Sequence, residues 1–235
     1  MSEMSVLLVS AFTLGLVHTL LGPDHYLPFI VLSRARRWSL AKTLKITFIA
    51  GLGHVLGSVV LGIIGIALGL SLSRLEAFEA GRGGLVGWML IAFGLMYTGY
   101  GLYRYFRKGG HVHLPAFLRP KSIRDHDLHI DADELEEEDR AGRLTPWILF
   151  LIFVFGPCEV LIPMLIYPAA EHSAAGVTLV ALVFGIATVG TMLSVVFLGY
   201  KGASFLRFRG REHVLHLMAG FVILIAGAGM QFLGW

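Results

Sequence analysis

The stretch "GLVHTLLGPDHYLPFIV", Gly15 to Val31, decides how this chain must be read. It is apolar enough for a membrane span, yet it carries two imidazoles (His18, His25), a carboxylate (Asp24) and the helix-breaking pair Gly22-Pro23. Ionisable groups inside a span are costly and mark ion or proton paths. Proline removes an intrahelical donor and frees the carbonyl four residues back, here that of Thr19. Such a break survives in lipid only where protein or a wet cavity surrounds it. The segment therefore predicts a broken membrane helix lining a polar site.

The composition of the whole chain has the same solvent in view. Its 235 residues are 56% hydrophobic and 15% charged, with a mean hydropathy of +0.74, outside the range of soluble domains. The 29 Gly and 8 Pro suit closely packed membrane helices. A single cysteine, Cys158, excludes an intrachain disulfide and a two-cysteine relay within this sequence. After Glu3 the chain enters an apolar segment without a basic n-region or a small-residue cleavage site, so no removable signal peptide is expected and the first span does the targeting.

Runs long enough to cross ~30 Å of hydrocarbon at ~1.5 Å per residue fall at about 5–32, 44–70, 84–106, 146–169, 175–200 and 213–234. The first is over-long and broken at Gly22-Pro23. Lys and Arg set the orientation: loop 1–2 holds five, connection 3–4 eight and loop 5–6 four, against Arg74 and Arg82 in loop 2–3 and none in loop 4–5. Loops 1–2, 3–4 and 5–6 are expected in the cytoplasm, with both termini outside.

The chain repeats itself with a period near 134, the kind of self-similarity that defines an architecture. "GPDHYLPFIV" (22–31) resembles "GPCEVLIPML" (156–165), "GLGHVLGSVVLG" (51–62) resembles "GIATVGTMLSVVFLG" (185–199), and Gly87, Gly94 and Gly101 are matched by Gly220, Gly227 and Gly234. Three spans per copy force the second copy to enter the membrane from the opposite side. The expected fold is all-α and integral to the membrane: six transmembrane helices as two inverted three-helix repeats, 1–106 and 145–235, with helices one and four broken and a polar segment, 107–144, between them. That segment holds His111, His113, His126 and His129 with nine acids. It reads as a solvated cytoplasmic loop or as a weak divalent-metal buffer.

At each break Gly22 or Gly156 reads as an N-cap and Pro23 or Pro157 as the first helical residue. Asp24-His25 and Cys158-Glu159 follow, so each half-helix would carry a carboxylate in its first turn, where the helix end favours the ionised form. An anion would meet like charges there, whereas a divalent cation would be neutralised. His18 and His25 would stand ~10 Å apart in an unbroken helix, too far for one ion with bonds of ~2.1 Å, and the break shortens that gap. His54, flanked by Gly51, Gly53 and Gly57, adds a third nitrogen. Imidazoles with carboxylates suit Ni, Co, Fe(II) or Zn rather than Mg or Ca. Cys158 reads first as a small buried hydrophobe and second as a ligand. Thr188 and Thr191 align with the His54 region. Met164, Met192 and Met230 read as packing, His213 and His216 as interfacial, and His172 as an outer-loop residue.

"GLVHTLLGPDH" followed by "GLGHVLGSVV" resembles the nickel/cobalt transporter family, in particular its urease-accessory-type branch, within the LysE-like superfamily that also contains sulfite-exporter-type and cytochrome-c-biogenesis-type proteins; "FGPCEVLIPML" extends the resemblance into the second half. The resemblance implies that His18, Asp24 and His25 ligate metal and that His54 matches the helix-two Gly-His element. One departure stands out: five residues separate His18 from Asp24, against four expected between that histidine and the Asp-His pair of the nickel/cobalt motif. The expected function is secondary transport of a divalent transition metal, nickel or cobalt first and iron or zinc after them, with no permanent cofactor and no enzymatic activity. The partners are the bilayer of the cell membrane and the metal substrate. A homo-oligomer is compatible and a nucleic-acid partner is not expected. The alternatives are an exporter of a sulfite-like anion and a membrane accessory protein that delivers metal to a cytosolic enzyme.

Overall fold

The computed structural model describes residues 3–108, 143–158, 160–171, 173–204 and 212–233, and among them every regular element is a helix. The order is α1 (Glu3–Leu21), a 3-10 turn (Pro23–His25), α2 (Leu27–Ala35), α3 (Leu40–Ala67) and α4 (Leu72–Lys108). Then come α5 (Arg143–Phe155), α6 (Leu161–Ala170), α7 (Ala174–Ser204) and α8 (Glu212–Leu233). Five of these helices, α1, α3, α4, α7 and α8, are long and apolar enough to cross a membrane, and α5 and α6 are shorter apolar helices. Ile186, Leu198 and Phe221 are each more than half exposed, an outward apolar face that lipid, not water, would cover.

Local chemistry sets the helix ends. The Ser39 hydroxyl accepts from the Lys42 N–H at 3.2 Å and caps α3. At its other end Gly69, with φ +64°, lets the Leu70 N–H reach the Gly65 carbonyl and its own N–H reach Ile66, a Schellman closure. Arg37, at φ +50°, closes α2 the same way, with the Trp38 N–H on the Ser33 carbonyl.

Two helix starts differ from expectation. Gly22 does cap a short 3-10 turn with Pro23 in first place, but α2 itself begins at Leu27 with Pro28 in its first turn, so Asp24 sits in the turn and not in a half-helix. Likewise α6 begins at Leu161, after Val160, and Gly156, Pro157 and Cys158 lie outside both helices. A second proline in each stretch fits these starts: Pro28 and Pro163 fall in the first turn, where the missing N–H has no partner to lose. The third long helix also starts earlier than the run at 84–106. It begins at Leu72 and draws Arg74 and Arg82 out of the connection and into α4. Glu159, His172 and the loop residues His111, His113, His126 and His129 lie outside the described residues, as do the side chain of His213 and the whole of Gly234.

Glycine spacing brings backbones together. A Cβ on Gly94 would stand 2.5 Å from the Leu224 nitrogen, and one on Gly101 2.5 Å from the Leu217 nitrogen. Gly87 meets Gln231, Gly220 meets Thr98 and Gly227 meets Ile91. The numbers rise along α4 as they fall along α8, so the two helices pack antiparallel along a seam of small residues. Along α7, Gly176 meets Met4, Phe184 to Thr188 meet Gly15, and Gly199 meets Ile30; α1 and α2 therefore run parallel to α7. In the same sense α5 and α6 follow α3: Gly53 meets Phe150 and Val154, and Gly62 meets Ile162 and Leu165. Two apolar clusters result, one around Phe29, Leu90, Ile152 and Ile223, the other around Ala11, Leu161, Leu165 and Phe184. The chain breaks lie between them.

Candidate metal-binding site

The turn after α1 folds His25 back toward α1, and α3 supplies His54 from the other side. The ring centroids of His18 and His25 are 4.8 Å apart, and those of His25 and His54 5.2 Å, at an interplanar angle of 90°. One ring nitrogen from each of the three lies within 4.8 Å of the others. His25 and His54 are buried, and in all three rings Nε2 is buried without a hydrogen-bond partner.

In His25 and His54 the opposite nitrogens are engaged. His54 Nδ1 donates to the Phe153 carbonyl at 3.2 Å. His25 Nδ1 lies 3.2 Å from the Gly22 carbonyl and 3.3 Å from Asp24 Oδ2, both acceptors. Carbonyls cannot donate, so Nδ1 carries the hydrogen, and in the neutral ring Nε2 keeps its lone pair. This is how metal-binding imidazoles are oriented from behind. Asp24 thus stands at the back of His25, outside the three-nitrogen group. Its Oδ1 is buried and unpartnered.

Of the other candidates, Cys158 is fully buried in the apolar cluster around Leu161 and is outside the imidazole group. Thr191 hydrogen-bonds its own helix at Ala187. Thr188 is fully buried, its Oγ1 unpartnered. Met164 and Met192 are packed. Met230 packs against the cluster around Phe29 and also lines the site: a cavity of about 380 Å³ is bounded by His18, Asp24, His25, Ala80, Gly83, Gly84, Val160, Met230 and Gln231 among others. His216 is 2% exposed and 2.9 Å from the Tyr97 hydroxyl, because the α4–α8 seam packs one against the other.

Two residues escaped the sequence altogether. Glu79, 1% exposed, pairs with Arg82 and accepts from the Cys158 N–H at 2.9 Å. Arg82 donates to the carbonyls of Val154 at 3.2 Å and Gly156 at 3.1 Å. Counting Arg82 in a loop hid them. The available signal was an acid and a base three apart, a spacing that pairs side chains on one helix face.

Residues 10–228 match the transmembrane region of the cytochrome c biogenesis proteins. The chain belongs to that family. No curated protein and no solved structure matches it. As a cytochrome c biogenesis transmembrane region with several apolar helices it is a multi-pass membrane protein. The match is to this family, and the resemblance to the nickel/cobalt branch rests on the first motif alone.

Proposed function

We propose that this protein is a secondary transporter of a divalent first-row metal cation, nickel or cobalt first, with His18, His25 and His54 as the ligands. The observation that carries the proposal is the convergence of three buried, unpartnered Nε2 atoms, on rings whose nitrogens come within 4.8 Å of one another. Ligands ~2.1 Å from a tetrahedral ion stand ~3.4 Å apart, so small ring rotations close the site. Neutral imidazoles suit Ni, Co, Fe(II) and Zn. Asp24 supplies negative charge behind His25, which disfavours an anion and so the sulfite-like alternative.

Six spans in two inverted repeats give this site its midplane position, with α1–α2 and α5–α6 as the broken helices. Contact exchange supports the repeat: adding 133 to Gly87 gives Gly220, and taking 133 from its partner Gln231 gives Thr98, the partner of Gly220; the same shift turns Gly94 against Leu224 into Gly227 against Ile91. The basic connections face the cytoplasm and the termini the outside. The α3–α4 connection, 68–71, then carries no Lys or Arg. The family's description points toward cytochrome c maturation, and Cys158 is the residue that would serve thiol chemistry; a relay would need a second thiol, which this sequence lacks.

The test is metal analysis of purified protein equilibrated with Ni(II) or Co(II), followed by uptake in liposomes. One ion per chain, lost in His25→Ala, is the expected result. No bound metal in the parent protein removes the proposal.

A further inference from the structure

The break between α5 and α6 leaves backbone groups open in a place where water is scarce, and three of them meet a charge from α4. Arg82 spans two carbonyls, Val154 at 3.2 Å and Gly156 at 3.1 Å. Glu79 Oε2 holds the Cys158 N–H at 2.9 Å, while its other oxygen pairs with Arg82. A buried ion pair is costly unless its remaining hydrogen-bonding groups are satisfied. Here they are satisfied by the break itself. Among the described residues the first break has no such device: the Tyr26 hydroxyl donates to Leu20 at 3.3 Å, and the His25 ring serves Gly22.

Phe153 lies near the end of α5, immediately before the three residues that α4 holds, Val154, Gly156 and Cys158. Its carbonyl accepts from the Gly156 N–H at 3.0 Å and from His54 Nδ1 at 3.2 Å. The acceptor that orients His54 is therefore bonded, through the Gly156 N–H, to the segment that Arg82 and Glu79 hold. Gly57 lets that loop approach α3, since a Cβ there would stand 2.8 Å from the Val154 carbonyl oxygen.

We propose that Glu79 and Arg82 are positioning residues for His54: they clamp residues 154–158 so that the Phe153 carbonyl fixes the His54 Nδ1–H tautomer and aims Nε2 at the metal. The metal half of this statement rests on the three-imidazole reading above, whereas the orientation of His54 does not.

Two signals test it in purified protein: Co(II) affinity with the visible absorption of the bound ion, and the nitrogen NMR signal of His54 in protein labelled at histidine. Arg82→Gln should weaken Co(II) binding about 10- to 100-fold, shift the absorption band and replace the single Nδ1–H form of His54 by a mixture, with helix content unchanged. Arg82→Lys, which keeps charge and donors but reaches one carbonyl in place of two, should fall between. An Arg82→Gln protein with the parental cobalt spectrum and a parental His54 signal overturns the proposal. If that variant does not fold, Arg82→Lys decides by the same signals, and identity with the parent overturns it. If the parent binds no Co(II), the transport reading fails by itself, and the His54 signal alone settles whether the clamp exists.

Discussion

His54 donates its Nδ1 hydrogen to the carbonyl of Phe153, 99 positions away in the chain, at 3.2 Å. The bond joins α3 of the first half to the end of α5 in the second, at the carbonyl that Pro157 leaves without its helical partner. It turns an open carbonyl at the end of α5 into the support of a candidate ligand presented by α3.

Removing ligands should be decisive. His18→Ala, His25→Ala and His54→Ala should each lower Ni(II) or Co(II) affinity by at least about 100-fold, because the two remaining nitrogens cannot complete the site. Isothermal titration of protein in detergent measures this. Wild-type affinity in all three variants removes the site.

Asp24 acts from behind His25, so its replacement should be milder than loss of a ring. Asp24→Asn keeps an acceptor and drops the charge, and a loss of about 10-fold is expected; Asp24→Ala should approach 100-fold. Metal stoichiometry should stay at one in both. A loss of stoichiometry equal to that of His25→Ala would instead make Asp24 a direct ligand.

The cavity beside the site is proposed as the route by which metal reaches it, and Gly84 on its wall offers a probe. A Cβ there meets nothing within 4 Å, so Gly84→Ala should behave as the parent. Gly84→Trp fills the space, and liposome uptake should slow by about 10-fold or more while cobalt bound at equilibrium stays at one ion per chain. Equal uptake by the two variants places the route elsewhere.

The α4–α8 seam makes a stability prediction. Gly94→Ala places a methyl 2.5 Å from the Leu224 nitrogen, and the helices must part at a cost of about 1–3 kcal/mol. Gly99→Ala on the same helix meets open space and should stabilise by up to ~1 kcal/mol, since alanine is the better helix former. Thermal unfolding in detergent separates them, and equal melting temperatures would contradict the seam.

Much of this protein is determined by its sequence alone, because lipid imposes a severe rule: apolar runs of sufficient length must become helices, and proline with glycine inside them must break those helices. That rule identifies the long helices, the breaks at Gly22-Pro23 and Gly156-Pro157, and His18, His25 and His54 as the costly polar residues worth placing. Even the spacing of Gly87, Gly94 and Gly101 is visible as a periodic pattern. Only the tertiary structure decided the rest. His18 and His25 meet because the turn folds one ring onto the other, which no spacing rule specifies. Asp24 stands behind His25 because the second proline, Pro28, delays the helix and leaves the carboxylate in the turn. Glu79 and Arg82 matter because α4 starts early and packs across a break about 75 residues further along the chain. Hydropathy and local propensity act between near neighbours, whereas these roles depend on which backbone groups a distant helix finds unsatisfied.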